Sequence, residues 1–240
     1  MDLSRQHSKM HYIIEFVMNW FLLLTFACPS DYTALFELLD ERLWYLVHPK
    51  RSLNVMPVWG MGLTGAGVTV AILDDGNQKN FLGIDVEHPD LRHAIRSDLS
   101  WNLHEGNMDV RPRSEMETHG TRCAGQIAAR SGNCTVGVAW NAKIVGLKLL
   151  HGILSDTLEA AAVNKHLDQV DIYNCSWGPA DDGKSLEGPG PHTKKAFING
   201  ILNGRRGLGA IYVFAAGNGA KHDDNCNADG YANFLYSFTI

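Results

Sequence analysis

Four short runs, Val68–Leu73, Ile144–Leu150, Ile172–Cys175 and Ala210–Ala216, constrain the fold of this chain more than any other feature. They are four to seven residues long, mostly apolar and rich in β-branched side chains. Strands exposed on one face alternate polar and apolar residues, whereas near-continuous apolar runs suit parallel strands buried on both faces. Helical patterns lie between them. Gly120–Ala129 is rich in small residues, and Ser155–Leu167 opens on Ser155 as an N-cap with Asp156 in its first turn. His192–Arg206 ends in two arginines followed by Gly207, which reads as a helix stop. Strands and helices in alternation predict an α/β fold, a parallel β-sheet flanked by helices.

Catalytic groups of open α/β sheets gather at the carboxyl ends of the strands. Here those ends read Asp74-Asp75-Gly76, His151-Gly152, Ser176-Trp177-Gly178-Pro179 and Gly217-Asn218-Gly219. Asp74 follows an apolar strand, so its carboxylate sits at a strand tip, although an aspartate before a glycine is also an ordinary turn residue. His119 stands at a helix start among small residues, where a histidine is ordinarily a cap or a surface group. Together they have the chemistry of a carboxylate orienting an imidazole, the base half of a nucleophilic triad. A net charge of −5 argues against a general nucleic-acid binder, which needs a basic face. Gly65-Ala66-Gly67 precedes its strand, whereas a dinucleotide fingerprint places its glycines after one, so that reading is rejected.

Four motifs occur in a characteristic order: Ile72-Leu73-Asp74-Asp75-Gly76, His119-Gly120-Thr121-Arg122-Cys123-Ala124-Gly125, Ser176-Trp177-Gly178-Pro179 and Ala216-Gly217-Asn218-Gly219. Over residues 40–240 the chain resembles subtilisin-like serine proteases. Arg122-Cys123, Asp181-Asp182-Gly183-Lys184 and Cys226-Asn227 before Asp229-Gly230-Tyr231 narrow the resemblance to the kexin/furin proprotein convertases. Aspartate before histidine is the subtilisin chain order. The resemblance implies a subtilisin-like fold, with Asp74 orienting His119, His119 as general base and Asn218 as oxyanion donor. It also implies a substrate groove along Ser176, Trp177, Gly178, Pro179 and Asp181, with Asp181 and Asp229 at the floor of an arginine pocket. Asp75, Glu159 and Glu187 would receive further basic residues upstream of the cleaved bond. A solvated acidic surface is the ordinary reading of the same carboxylates. Calcium is the implied cofactor, with Asp90, Asn133, Asp181 and Asp224 as ligands and Asp40 as a looser match; oxygen donors from loops suit that ion.

The expected substrates are polybasic peptides or proproteins, the expected activity is calcium-dependent cleavage of secretory precursors after basic residues, and the expected location is the secretory pathway. Neither a nucleic-acid partner nor an oligomer is expected. Residues 1–39 read as a leader and 40–240 as the peptidase domain, incomplete at its C-terminal end. Within the leader, Arg5 and Lys9 precede the apolar run Phe16–Ala27, which is too short to span a bilayer as a helix and resembles a signal or anchor segment. Membrane association would run through that segment or through a region after Ile240. The family's nucleophilic serine lies in a Gly-Thr-Ser segment that these 240 residues do not include, so the chain as given is expected not to hydrolyse peptides. The alternative is a truncated isoform, or a gene fragment, that at most binds polybasic peptides. By resemblance Cys134 and Cys226 pair with cysteines beyond Ile240, and Cys123 is a buried thiol beside the histidine. The stretch 77–87 is longer than the family's, and the loop before Cys134 is shorter. Two sequons are present, Asn133-Cys134-Thr135 and Asn174-Cys175-Ser176, the second on a predicted strand.

Overall fold

The computed structural model describes residues 53–74, 83–112, 119–130, 135–149 and 154–240. The described residues form six strands, β1 (Thr69–Asp74), β2 (Trp101–Asn102), β3 (Lys143–Lys148), β4 (Ile172–Cys175), β5 (Ile211–Phe214) and β6 (Ser237–Thr239). They form one sheet in the order β2-β3-β1-β4-β5-β6, and every pairing is parallel. Among the described residues the α-helices are α1 (Met56–Gly60), α2 (His119–Ala128), α3 (Asp156–Val163) and α4 (Pro191–Gly207).

All six residues of β1 are buried, as are all four of β4 and of β5. Alternation of side chains along each strand explains why. Val70, Ile72, Ile144, Ile172 and Val213 pack with Ala124, Ile127 and Ala128 of α2. The intervening residues Ala71, Leu73, Val145, Tyr173, Tyr212 and Phe214 face α3 and α4 through Ala162, Val163 and Phe197. A sheet covered on both faces removes apolar side chains from water in both directions, at about 1.5–3 kcal/mol for each large one. The register is set by that burial. Asp74 pairs with Lys148, and Leu73 with Cys175, so the strand ends form one rim.

The predicted α/β architecture is therefore present, and the strand positions agree to within one or two residues. Three elements were not anticipated as such: α1, the two-residue β2, and β6, whose Ser237 the sequence marks only as strand-like. Asn174 is 2% exposed, so the second sequon lies inside the sheet. Ser155 does cap α3, its hydroxyl accepting the Leu158 N–H at 3.3 Å, but the helix ends at Val163 rather than Leu167. The end of α4 also differs. Helical geometry stops at Asn203; Gly204 is extended, and Arg205 and Arg206 have φ of 51° and 58°. A side chain at Gly204 would bring its Cβ within 2.7 Å of the Ala210 nitrogen, so close approach to the start of β5 ends the helix there.

One carboxylate joins the two helices of the second face. Asp156, in the first turn of α3, accepts the N–H groups of His192 and Thr193 at 2.8 and 2.9 Å and the Thr193 hydroxyl at 2.8 Å. It serves α4 as an N-terminal cap that Gly190 itself does not supply. Burial opposes ionisation, but these donors outweigh it and hold the Asp156 carboxyl well below the usual carboxylate range. A lowered pKa stabilises the fold above the ordinary value and is lost as pH falls through the folded one. We expect Asp156→Asn to lower the urea midpoint at pH 7, and the difference from wild type to shrink towards zero under strong acid. Urea titrations across pH would measure both.

Candidate active site

The rim at the carboxyl end of the sheet carries the groups singled out by sequence. Asp74 ends β1 and is 3% exposed, because its strand is covered on both faces. His119 begins α2 and donates its Nδ1–H to Asp74 Oδ1 at 2.6 Å. This approach requires Gly120. A Cβ there would come within about 2.3 Å of Asp74 Oδ2 and 2.7 Å of the Gly83 carbonyl oxygen. Among the described residues Oδ2 has no hydrogen-bond partner, and Oδ1 is bonded to the imidazole. The Asp74 bond, assisted by the Cys123 sulfur at 3.9 Å, outweighs burial and raises the imidazole's pKa well above the ordinary histidine value. Once the imidazole is neutral, the same bond keeps its proton on Nδ1 and leaves Nε2 as the proton acceptor. Cys123 is a buried free thiol, as the resemblance implied.

A second group of carboxylates lies beyond β4 and β5. Asp181, Asp224 and Asp229 line one open cleft with Pro179, Ser185 and Asn225. Each sits against a glycine. A Cβ at Gly217 would lie 2.6 Å from Asp181 Oδ1, one at Gly219 2.5 Å from Asp224 Oδ2, and one at Gly178 2.8 Å from Asp229 Oδ2. Gly217 also has φ of +91°, which a larger residue adopts only under strain. Asp181 Oδ1 accepts the backbone N–H of Asn218 at 2.9 Å, so a cleft carboxylate holds the turn that presents Asn218. Asp229 accepts the N–H groups of Tyr231 and Ala232, yet burial, with the nearby Asp181 and Asp224, raises its pKa above the ordinary value.

The other residues that the resemblance places along a groove lie near this cleft. Glu159, on α3, is 3% exposed and accepts the Tyr231 hydroxyl at Oε2 at 3.1 Å. Its Oε1 is buried without a partner among the described residues, and burial pushes the carboxyl up to about 7. Trp177 packs edge-on against Phe214 and Tyr231, with ring centroids 5.4 and 5.0 Å away. Ser176 accepts the Asn174 amide at 2.8 Å. Glu187 is exposed, and its carbonyl oxygen accepts the Gly230 N–H at 2.8 Å, joining these two segments. Tyr231 is the residue of this cluster that sequence reading passed over. It stood there only as the end of an Asp-Gly-Tyr motif, and its hydrogen bond to Glu159 spans 72 positions of sequence.

Asp75 and Asn133 lie outside the described residues, as do Cys134, the 77–82 part of the long stretch and the N-terminal apolar run. Asp90 is 1% exposed, and its backbone bridges His88 Nδ1 and the Arg130 N–H. Among the described residues no three His, Cys, Asp or Glu side chains converge as a metal centre. Asp181 and Asp224 share a cleft, but the oxygens of two carboxylates do not by themselves make up the roughly six to eight that calcium takes. The donor chemistry suits calcium, while the set is incomplete among the described residues. No described helix is long and apolar enough to cross a membrane.

A family model described as the subtilase family, Peptidase_S8, matches residues 65–240. The chain belongs to the subtilase family. Its curated relatives are kexin-like: it is 46% identical over 216 residues to kexin of Saccharomyces cerevisiae, covering 88% of this chain and 26% of that protein. It is 45% identical to the dibasic-processing endoprotease of Schizosaccharomyces pombe, over 82% of this chain and 27% of that one. Human proprotein convertase subtilisin/kexin type 7 is also 45% identical, over 82% of this chain and 25% of that one. The subtilase chain thus spans about a quarter of the length of the curated relatives it matches. Among solved structures, a serine protease of Aeromonas sobria aligns with a TM-score of 0.60 at 26% identity, over 82% of this chain and 34% of that chain.

In this subtilase, Asp74→Asn should bring the His119 pKa down towards the ordinary 6.5. Since folding raises that pKa, the pair's stabilisation is complete below about 6.5 and is lost as pH climbs through the folded value. Gly120→Ala should have the same effect on His119 by pushing the two groups apart. Imidazole NMR titrations of the three proteins would measure it, and an unchanged titration in both variants would refute the pairing.

Proposed function

We propose that this chain provides the general base, the oxyanion donor and the substrate groove of a calcium-dependent serine endopeptidase that cuts secretory precursors after paired or multiple basic residues. The observation that carries the reading is the 2.6 Å bond between buried Asp74 and His119, at the strand end the subtilisin arrangement requires. The nucleophile is assigned to the Gly-Thr-Ser segment that family resemblance places after the Asp-Gly-Tyr motif. Ser176 and Ser237 are otherwise engaged, the latter donating to the Tyr231 and Phe234 carbonyls. His119 takes the serine proton as the hydroxyl attacks the scissile carbonyl, and later returns it to the leaving amine. The Asn218 amide receives the developing oxyanion, a contribution typically of ~10²–10³ in rate.

Basic specificity is supported by the carboxylates. Asp181 and Asp229 line one cleft and would bind the arginine preceding the cut. Glu159 and Glu187, with Asp75, would receive the residues further upstream. Paired charges partly removed from water discriminate strongly, since an uncharged side chain would leave a buried carboxylate without a partner. The kexin-like relatives, one of them named a dibasic-processing endoprotease, support the same reading. The family's calcium sites assign Asp181 and Asp224 to one ion and Asp90 with Asn133 to another. Residues 1–39 are taken as a leader, 40–240 as the peptidase unit, and the secretory pathway as the location.

With the full-length protein, an Arg-Arg fluorogenic peptide should be hydrolysed, activity should vanish on chelation and return with calcium, and His119→Ala should lower kcat by about 10⁴–10⁶. Activity that survives His119→Ala would overturn the assignment. Binding of the peptide without cleavage would favour the non-catalytic alternative.

Glu159 adds a pH signature. Its carboxyl is neutral below about 7 in the free protein, and a bound guanidinium favours the ionised form. Affinity for a peptide with an upstream arginine should therefore rise as pH increases from about 5 to 8, by at most about tenfold per pH unit. Glu159→Gln should flatten that rise, as isothermal titration at several pH values would show.

A further inference from the structure

The sequence holds a diarginine pair that the site does not use. Arg205-Arg206 lies in the non-helical last turn of α4, beside the exposed Gly207 and Leu208. Arg206 is exposed, so the pair stands where a protease could approach it. Its conformation forbids productive binding. Arg205, Arg206 and Gly207 all have positive φ, of 51°, 58° and 91°, forming a left-handed turn. A peptide lying in an extended groove has negative φ throughout. Two consecutive non-glycine residues in that region persist only when the surroundings impose it.

The constraint is visible. The Arg205 N–H donates to the Leu167 carbonyl at 2.6 Å, and Nη1 donates to the Gly209 carbonyl at 3.2 Å. Arg205 Nε lies 3.3 Å from Asp171 Oδ1, close enough for an ion pair though not aligned as a hydrogen bond. The Arg205 side chain is 8% exposed, so the first member of the pair is hidden while the second is not. Asp171 is itself fixed, since its Oδ2 accepts the Thr69 N–H at 2.9 Å where β1 begins. That end of β1 is opposite Asp74, roughly 16–17 Å away along a six-residue strand. The pair therefore lies on the far edge of the sheet from its own active site.

We propose that Arg205-Arg206 is a latent processing site for a second copy of the enzyme, masked by the Arg205–Asp171 latch. The proposal rests on the basic-residue specificity advanced above. Opening the latch frees both arginines and lets the turn extend. Water then adds across the Arg206–Gly207 amide: hydroxyl goes to the Arg206 carbonyl, and the proton goes to the Gly207 nitrogen as the C–N bond breaks. The cut separates Asp74 and His119 from the Asn218 turn on two polypeptides, so one cleavage removes the oxyanion donor's covalent link to the base.

The test uses full-length protein carrying His119→Ala as substrate, with Asp171→Asn or Arg205→Lys added. Asp171→Asn keeps an oxygen for the Thr69 N–H and removes the charge; Arg205→Lys keeps a dibasic pair and loses the bonds made by the guanidinium. Active enzyme and trypsin are applied in parallel, and a synthetic peptide of residues 200–211 serves as an unfolded control. The fragment beginning at Gly207 is followed by mass spectrometry. Both variants should release it at least about tenfold faster than the parent, because cleavage tracks the open population. Should Asp171→Asn fail to fold, Arg205→Lys decides. If the enzyme cuts the free peptide but neither protease cuts the variants faster than the parent, the latch is overturned. If trypsin shows the acceleration and the enzyme leaves even the free peptide intact, the specificity reading fails while the latch stands.

Discussion

The carboxylate of Asp74 ends a strand buried along its whole length, and the rest of the site is arranged around that placement. β1 has neighbours on both sides, β3 and β4, so it cannot shift by one residue without turning its inward side chains to the wrong face. The same register that buries Ile72 under α2 and Leu73 under α3 and α4 delivers Asp74 to the rim. The first turn of α2 then brings His119 against it, because Gly120 has no side chain to hold them apart. Packing energy spread over the sheet thus keeps a carboxylate where water would otherwise compete for it.

The acidic cleft follows a similar rule with a different purpose. Asp181, Asp224 and Asp229 each occupy space that a side chain on Gly217, Gly219 or Gly178 would fill. Burial, with the charges of Asp181 and Asp224 nearby, raises the affinity of Asp229 for a proton. The cost is offset by backbone N–H donors from Asn218, Tyr231 and Ala232. Such a cleft is poised to gain from a cation. Glu159 extends that property inward, with one oxygen held by Tyr231 and the other without a partner among the described residues.

Much of this was legible in the residues. Near-continuous apolar runs read as buried parallel strands because a two-sided core leaves no polar face. Ser155 read as a cap because a hydroxyl before a helix meets an unpaired N–H, and it does so here. The end of α4 was misread for a physical reason. Arginines before a glycine favour a helix stop by local chemistry, but the stop came earlier, at Gly204, where the approach of Ala210 leaves no room for a side chain. The short β2 and β6 escaped notice because two or three residues carry no periodicity, and only their pairing with β3 and β5 makes them strands.

By itself the sequence determined the α/β class, the strand positions and the motif order that marks a kexin-like subtilase, since these depend on local composition and spacing. Tertiary structure alone decided that Asp74 and His119, 45 positions apart, share a hydrogen bond. It alone decided that Asp181 supports the Asn218 turn, that Tyr231 holds Glu159, and that Asp171 ties down Arg205. Each of those contacts joins groups from different strand ends or helices. Their distance is fixed by how the sheet and its two layers pack, a quantity that no stretch of chain carries on its own.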